Sequence, residues 1–189
     1  LGALAASAVE EGTESASSLV QLDVAGAVHE VLSLGPGSVG PLALADVDGD
    51  GDLDLFVGGT AVAGRYPEAT PSRLFRREAD GWAADEPARR ALDGVGIVQG
   101  AVWSDLDGDG FPELVLACEW GPVRIFRNQK GALVEATKSL GLESRTGWWT
   151  GVQAGDFDGD GRLDLVVGNW GLNSTWRPDP AHPLRLYHG

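Results

Sequence analysis

Short apolar runs, each directly preceded by an acidic glycine-rich loop, recur three times along the 189-residue chain. The runs read LDLFVGG, ELVLAC and LDLVVGN, and they consist largely of Leu and Val and end in small residues. A continuous apolar run of this length, bounded by turn residues, is typical of a buried strand rather than of a helix. The pattern therefore predicts an all-β protein whose strands follow the acidic loops.

The other hydrophobic segments keep the same phase as these loops. The loops begin at Asp46, Asp105 and Asp156, which are 59 and 51 residues apart. Short alternating segments at 73–75, 124–126 and 185–187 follow the apolar runs, and the first two are followed by a turn, another short strand and a polar segment. Four short antiparallel strands in about fifty residues are the pattern of a β-propeller blade.

This template divides the chain into four parts. We expect residues 1–41 to hold strands two to four of a preceding blade, 42–96 and 97–148 to form blades with the first and second loops, and 149–189 to form an incomplete blade with the third loop. The opening LGALAASA fits a strand on this template, and the tail of a signal peptide is the alternative. The segment would thus belong to a longer propeller.

The three loops, DVDGDGDLD, DLDGDGFPE and DFDGDGRLD, place carboxylates at positions 1, 3, 5 and 9. Ca²⁺ takes oxygen ligands, and short Asp side chains on alternate residues of a tight loop can converge on one ion. Position 7 varies from carboxylate to aromatic to cation, so it can contribute only its backbone carbonyl. The predicted ligands of three calcium sites are Asp46, Asp48, Asp50, Asp52, Asp54, Asp105, Asp107, Asp109, Phe111, Glu113, Asp156, Asp158, Asp160, Arg162 and Asp164.

An EF-hand opens in the same way but requires a Glu at position 12 and flanking helices. Position 12 here is Val57, Leu116 or Val167, and strands are predicted on both sides of each loop. The ninth residue therefore closes the site. Glycine at position 6, as at Gly51, predicts a backbone φ above zero, where a Cβ would clash.

Charge and composition narrow the function further. The chain has 28 acidic and 14 basic residues, and five, four and four of the acids lie in the three loops, which makes thirteen. No basic patch is left to indicate a nucleic acid partner, and no apolar run is long enough to predict membrane insertion. Cys118 is alone, so it predicts a buried small side chain rather than a disulfide.

The DxDGDGxxD loop followed by LDLxVG resembles the FG-GAP or VCBS repeats of integrin α-subunit propellers and of many bacterial secreted proteins. The phrase from 124 to 142, RIFRNQKGALVEATKSLGL, is closer to bacterial ASPIC/UnbV-type repeat proteins. The resemblance implies a ring of about six to eight blades with Ca²⁺ between the first and second strands of each blade. Glu113 departs from the usual closing Asp, so we expect a weaker second site. The Gly-Ala-Pro of integrins is missing after FVGG.

No catalytic constellation was found, and we expect a protein without enzymatic activity. The connections after the apolar runs are unequal, long and proline-rich at 60–72 and 169–183 and short at about 119–122. The seven tryptophans are the feature with recognition potential: Trp120 and Trp170 end equivalent strands beside these variable connections, and Trp176 lies within one of them. Exposed aromatic rings at such places could bind a carbohydrate or a protein. The expected function is a calcium-binding scaffold and recognition module, extracellular, at the cell surface or periplasmic, because cytosolic calcium is too low for such sites.

Two alternatives remain. The first is the scaffold of a calcium-dependent polysaccharide lyase, for which Arg65, Tyr66 and Arg177 are the candidate bases in the long connections. The second is a partial propeller that completes its ring by forming a homo-oligomer.

Overall fold

The structure is a computed structural model and describes residues 3–7, 16–22, 25, 28–171, 173, 175–176, 178–179 and 181–187. Nearly all of its regular structure is β. The elements are β1 (Ala3–Ser7), β2 (Ala16–Leu22), β3 (Val28–Pro36), β4 (Val39–Ala45), β5 (Asp54–Gly59), β6 (Arg73–Glu78), β7 (Gly81–Ala84), α1 (Glu86–Ala91), β8 (Ile97–Ser104), β9 (Glu113–Pro122), β10 (Arg124–Gln129), β11 (Ala132–Glu135), β12 (Thr146–Gly155) and β13 (Asp164–Asn169).

The strands form antiparallel sheets in which neighbours along the chain are usually neighbours in space. Strands β1 to β3 form one sheet and β4 to β7 form a four-stranded sheet in chain order. In the third sheet β9 pairs with β8 and β10, and β10 pairs with β11; β12 pairs with the end of β9 and with β13. The prediction of an all-β, antiparallel protein is confirmed.

The first two apolar runs, in β5 and β9, form the buried centre of their sheets, whereas the third run, in β13, is only partly buried, with Val166 54% exposed. Every residue of β5 is buried, and so are the first seven residues of β9. Phe56 of β5 and Phe126 of β10 are fully buried in one cluster, which lies between the second and third sheets. Burying side chains of this size contributes about 1.5–3 kcal/mol each. The continuous runs are therefore apolar because both faces of these strands are covered.

The strands that lead into the loops approach one another closely. A Cβ at Gly100 of β8 would lie 2.7 Å from the Cα of Gly151 in β12, and a Cβ at Gly40 of β4 would lie 2.8 Å from the carbonyl oxygen of Val98. Only glycine permits backbones to approach this closely. The small residues at these positions bring β4, β8 and β12 side by side.

Helix α1 and residues 185–187 differ from the expectations, and the blade boundaries are not tested. The polar segment after β7 contains helix α1, whose N-cap Asp85 accepts a hydrogen bond from the Ala88 amide at 2.8 Å. Residues 185–187 do not form a strand; Tyr187 is 82% exposed, and within the described residues β13 pairs only with β12. The blade boundaries expected at 42 and 149 fall inside β4 and β12 and stay predictions.

Within the described part of the chain, α1 is the only helix, and no helix is long and apolar enough to cross a membrane.

Candidate metal sites and an aromatic surface

Each acidic loop connects two paired strands and turns on two glycines. Positions 4 and 6 all have positive φ, between +78° and +96°, and the φ above zero predicted at position 6 is confirmed. A side chain at these glycines would be strained whatever the surrounding space. The three loops consequently share one backbone path.

The first carboxylate of each loop accepts hydrogen bonds from the loop's own backbone. Asp46 accepts from the amides of Gly49 at 2.8 Å and Gly51 at 3.0 Å. The corresponding Asp105 and Asp156 accept from the equivalent glycine amides at 2.7–3.0 Å. These bonds fix the position of the carboxylate.

The closing carboxylate at position 9 fixes the other side of the loop. Asp54, Glu113 and Asp164 each accept a hydrogen bond from the amide of position 2, at 3.2, 2.8 and 3.1 Å. The longer Glu113 side chain therefore makes the same contact as the two aspartates.

Three carboxylates in each loop bring oxygen atoms within 4.8 Å of one another. In the second and third loops these are positions 1, 3 and 9, and in the first loop they are positions 1, 3 and 5. Clustered carboxylate oxygens suit a hard divalent cation such as Ca²⁺, whose oxygen ligands lie at about 2.3–2.6 Å. The donor sets are Asp46, Asp48 and Asp50; Asp105, Asp107 and Glu113; and Asp156, Asp158 and Asp164.

Of the remaining predicted ligands, Asp54, Asp109 and Asp160 lie outside these sets. The side chain of Arg162 forms an ion pair with Asp160 at 2.8 Å, and this interaction lowers the pKa of the Asp160 carboxyl. Nothing in the structure tests the backbone carbonyls of Asp52, Phe111 and Arg162 as ligands.

Arg76 of β6 holds the closing Asp54 of the first loop. Its Nη1 lies 2.8 Å from Asp54 Oδ2 and 3.7 Å from Asp48, and its Nε lies 2.7 Å from Asp85. Burial alone would lower the pKa of Arg76, but the hydrogen bonds to Asp85 and Asp54 outweigh it and raise the pKa above its usual value. The pattern of acids gave no sign of this contact, because Arg76 lies 22 residues beyond Asp54.

The second loop has a different electrostatic balance. Burial raises the pKa of Glu113 above its ordinary value, and the charges of Asp107 and Asp109 add to this effect, while amide hydrogen bonds from Leu106 and Asn128 oppose it. Among the described residues, no Lys or Arg forms an ion pair with the four carboxylates of this loop. Arg127 and Lys130 line a shallow cleft together with Asp107 and Asp109, but neither forms a close ion pair with them.

The first loop is covered by the turn of the next repeat unit. Asn128 donates from Nδ2 to the carbonyl of Val47 at 2.8 Å, and Val47 is fully buried. Phe111 of the second loop lies against Gly49, and Gly131 lies against Asp48. Neighbouring units thus share these contacts.

An aromatic surface lies at the other ends of the same strands. Trp148 at the start of β12 lies between Trp120 of β9 and Trp170 after β13, with ring centroids 5.2 and 5.4 Å away. Trp170 is 46% exposed. Trp148 was not among the tryptophans expected to form a recognition surface, because its place in this row depends on the pairing of β12 with both β9 and β13.

Polar groups hold the first ring of this row. Trp120 donates from Nε1 to the hydroxyl of Tyr66, which donates to Glu119 at 2.9 Å; Gln99 donates to the other oxygen of Glu119 at 2.6 Å. Trp120 has φ +57°, a conformation that a bulky side chain rarely adopts and that costs about 1–3 kcal/mol. The fold tolerates this strain where it places an indole at the surface.

The remaining candidates lie in the connections that follow β5 and β13. Trp176 is 63% exposed, and Arg65 forms an exposed ion pair with Glu68 at 3.2 Å. Burial raises the pKa of Tyr66 above its ordinary value, with Glu119 adding to the effect, which disfavours Tyr66 as a base. Arg177 lies outside the described residues.

Comparison with known proteins agrees with the repeat pattern. Residues 105–167 match the family model of the FG-GAP-like repeat. The chain is also 30% identical to cartilage acidic protein 1 of Homo sapiens and to the Mus musculus protein of the same name. Each match extends over 135 residues, which is 71% of the chain. The chain spans 17% and 18% of the length of these relatives. The stretch from the second acidic loop to the strand after the third is therefore similar to the FG-GAP-like repeat.

Proposed function

We propose that this chain is a calcium-binding part of a β-propeller and acts as a non-enzymatic recognition scaffold at or outside the cell surface. The observation that carries the proposal is the convergence of three carboxylates in each of three loops with one backbone path. The four-stranded sheet of β4 to β7 and the matching pairing of β8 to β11 support assigning these strands to two blades. The blade limits and the VCBS or ASPIC/UnbV type belong to the same proposal.

The location follows from the concentration of the ion. Extracellular calcium modules bind at about 10⁻⁴–10⁻³ M, which cytosolic calcium does not reach. The similarity to proteins named for cartilage supports an extracellular address. Calcium is the proposed cofactor at all three loops.

The direct test is calcium titration by calorimetry with one variant per loop. Asp46→Asn, Asp105→Asn and Asp156→Asn should each remove one binding event, because each removes the carboxylate charge at position 1. Asp80→Asn is the matched control, since Asp80 is an exposed acid in the β6–β7 turn. Absence of calcium binding by the unmodified chain up to 10 mM (about ten times the upper end of the range for extracellular modules) would refute the proposal.

The recognition surface we propose is the row of Trp120, Trp148 and Trp170, and its ligand is a neutral or basic carbohydrate. Indole faces provide a broad apolar contact with a polar edge. Glu119 is nine-tenths buried beside this row and forms no ion pair with a described Lys or Arg, so an acidic sugar would meet repulsion. Trp176 is proposed as an additional contact from the connection that follows.

A glycan array followed by tryptophan fluorescence tests this surface. Trp170→Ala should abolish binding to any sugar found, because it removes the most exposed ring of the row. Trp82→Ala is the control, since Trp82 packs near Arg77 at a different place. Binding of only a protein partner would refute the carbohydrate assignment while leaving the calcium scaffold intact.

The two alternatives have separate tests. Formation of unsaturated products from acidic polysaccharides would establish a lyase. Three apolar side chains in or beside the hairpin of β12 and β13 are exposed, namely Phe157, Leu163 and Val166. Their exposure favours contact with another blade of a propeller or with a second copy of the chain. Sedimentation of the chain distinguishes the latter, because only self-association depends on its concentration.

A further inference from the structure

Arg76 sets the first acidic loop apart from the other two. Its side chain is 17% exposed, and its guanidinium contacts Asp54, Asp85 and, at 3.7 Å, Asp48. Nη2 also donates to the carbonyl of Gly131 in the turn of the next unit. One positive group thus holds the closing carboxylate, the N-cap of α1 and the neighbouring unit.

Both oxygens of Asp54 already accept hydrogen bonds from outside the cluster of carboxylates. Oδ2 accepts from Arg76 and from the Val47 amide, and Oδ1 accepts from the Arg77 amide at 2.9 Å. Accordingly Asp54 is outside the converging set of its loop, whereas its counterparts Glu113 and Asp164 are inside theirs. The same position of the repeat therefore faces a guanidinium in one loop and the cluster of carboxylates in the others.

We propose that the Arg76 guanidinium takes the electrostatic place of a divalent cation at the first loop, so that this loop stays ordered without calcium and binds calcium more weakly than the second and third loops. The inference rests on the proposed calcium binding and deepens it by ranking the sites. It replaces the expectation of a weaker second site, since Glu113 makes the same loop contact as the closing aspartates. A fixed positive charge within about 4 Å of the carboxylates neutralises their mutual repulsion and repels a second cation. By reciprocity, calcium in this loop weakens the contacts of Arg76.

The neighbouring loops provide the contrast. Arg127 occupies the place in β10 that Arg76 has in β6, yet its side chain is exposed and forms no ion pair with a described carboxylate. Arg162 in the third loop pairs with Asp160, but its side chain is 85% exposed, and such exposed pairs contribute little. Only Arg76 is desolvated and fixed at several points.

The wild-type chain gives the first test, by nuclear magnetic resonance. The amides of Gly51, Gly110 and Gly161 each donate at 3.0 Å to the first carboxylate of their own loop, so each reports one site. In a calcium titration, Gly51 should reach half-saturation at a concentration at least about tenfold higher than Gly110 and Gly161. Simultaneous saturation of all three overturns the ranking and leaves calcium binding intact, and no shift in any of them overturns calcium binding itself.

The second test compares Arg76→Gln with Arg127→Gln. Arg76→Gln should lower the melting temperature in EDTA, and addition of calcium should restore it. The calcium concentration that half-saturates the Gly51 signal should fall by at least about fivefold. Arg127→Gln should leave the melting temperature unchanged and the half-saturating calcium concentration of Gly51 within about twofold of the wild-type value. Arg76→Lys should give values between those of the wild type and Arg76→Gln. Equal loss of stability with and without calcium would mean a merely structural ion pair and would overturn the proposal. If Arg76→Gln does not fold in either buffer, the wild-type titration decides.

Discussion

The two ends of the same strands are built from opposite chemistry. At the loop end, carboxylates are held close together by their own backbone amides, as Asp105 is by Gly108 and Gly110. At the aromatic end, Trp120, Trp148 and Trp170 pack ring to ring, with one polar chain through Tyr66 to Glu119. On the proposed function, a cation adds to the order of the first end and leaves the second unchanged. Stabilisation by the cation and recognition would then be separated by the length of a strand.

Removal of calcium gives the largest expected difference between the ends. With Ca²⁺ at 1 mM and a dissociation constant of about 0.1 mM, each filled loop contributes about 1.4 kcal/mol, and three loops with a weaker first one contribute about 3–4 kcal/mol. Calorimetric melting in 1 mM Ca²⁺ and in EDTA measures this. An unchanged melting temperature would contradict the proposed sites, and adding Mg²⁺ in place of Ca²⁺ controls for ionic strength.

Loss of the central indole should act at the other end alone. Trp148→Ala removes two aromatic contacts and part of the apolar burial, and we expect it to cost about 2 kcal/mol. Because the metal sites lie at the opposite ends of β12 and β13, the stabilisation by calcium should stay the same. Urea denaturation with and without calcium measures both quantities. A smaller calcium effect in the variant would show that the two ends are coupled.

Protonation of Glu113 distinguishes the second loop from the first at a smaller scale. A carboxyl whose folded pKa is raised favours the folded state when protonated, so this contribution is present below its ordinary pKa of 4.5 and is lost as the pH rises through the folded value. In EDTA, stability from this group therefore falls with rising pH, whereas calcium affinity rises. Glu113→Gln should remove the contribution of this carboxyl to the pH dependence of stability in EDTA and of calcium affinity. An unchanged pH profile in this variant would contradict the raised pKa of Glu113.

Cys118 lies in β9 between the loop end and the aromatic end, and its reactivity reports on opening of the sheet. This measurement requires no change in the stability of the protein. Burial raises the pKa of its thiol to about 12, so almost no thiolate is present near neutral pH. A disulfide reagent should label it only when the sheet opens. Labelling should be faster in EDTA than in calcium, because loosening of the second loop exposes β9. Rapid labelling of the calcium-loaded chain would contradict the described burial.

The sequence was informative where chemistry is local. The repeat of Asp and Gly positions predicted the loops and their positive φ, and the apolar runs predicted β5, β9 and β13. It predicted the buried thiol of Cys118, which is confirmed. The loops and their backbone conformation depend on neighbouring residues, and the burial of Cys118 follows from its place in an apolar strand.

Features that depend on distant residues were not predictable from the pattern. The pairing of Arg76 with Asp54 requires β5 and β6 to be in register. The row of tryptophans requires β12 to contact both β9 and β13. Helix α1 was missed although Asp85 followed by Pro87 is a local start signal, and the strand expected at 185–187 lacks a neighbouring strand among the described residues.

The hydrogen bond from Asn128 to Val47 affects how the protein can be divided for study. Position 2 of the first loop is fully buried by the following unit, whereas the equivalent Phe157 of the third loop is 58% exposed. A fragment that ends at a sequence-repeat boundary would leave its last loop uncapped. Expression fragments should therefore extend through the hairpin of the next unit, past Gly131 for the first loop, and a single excised repeat is a poor substitute for two.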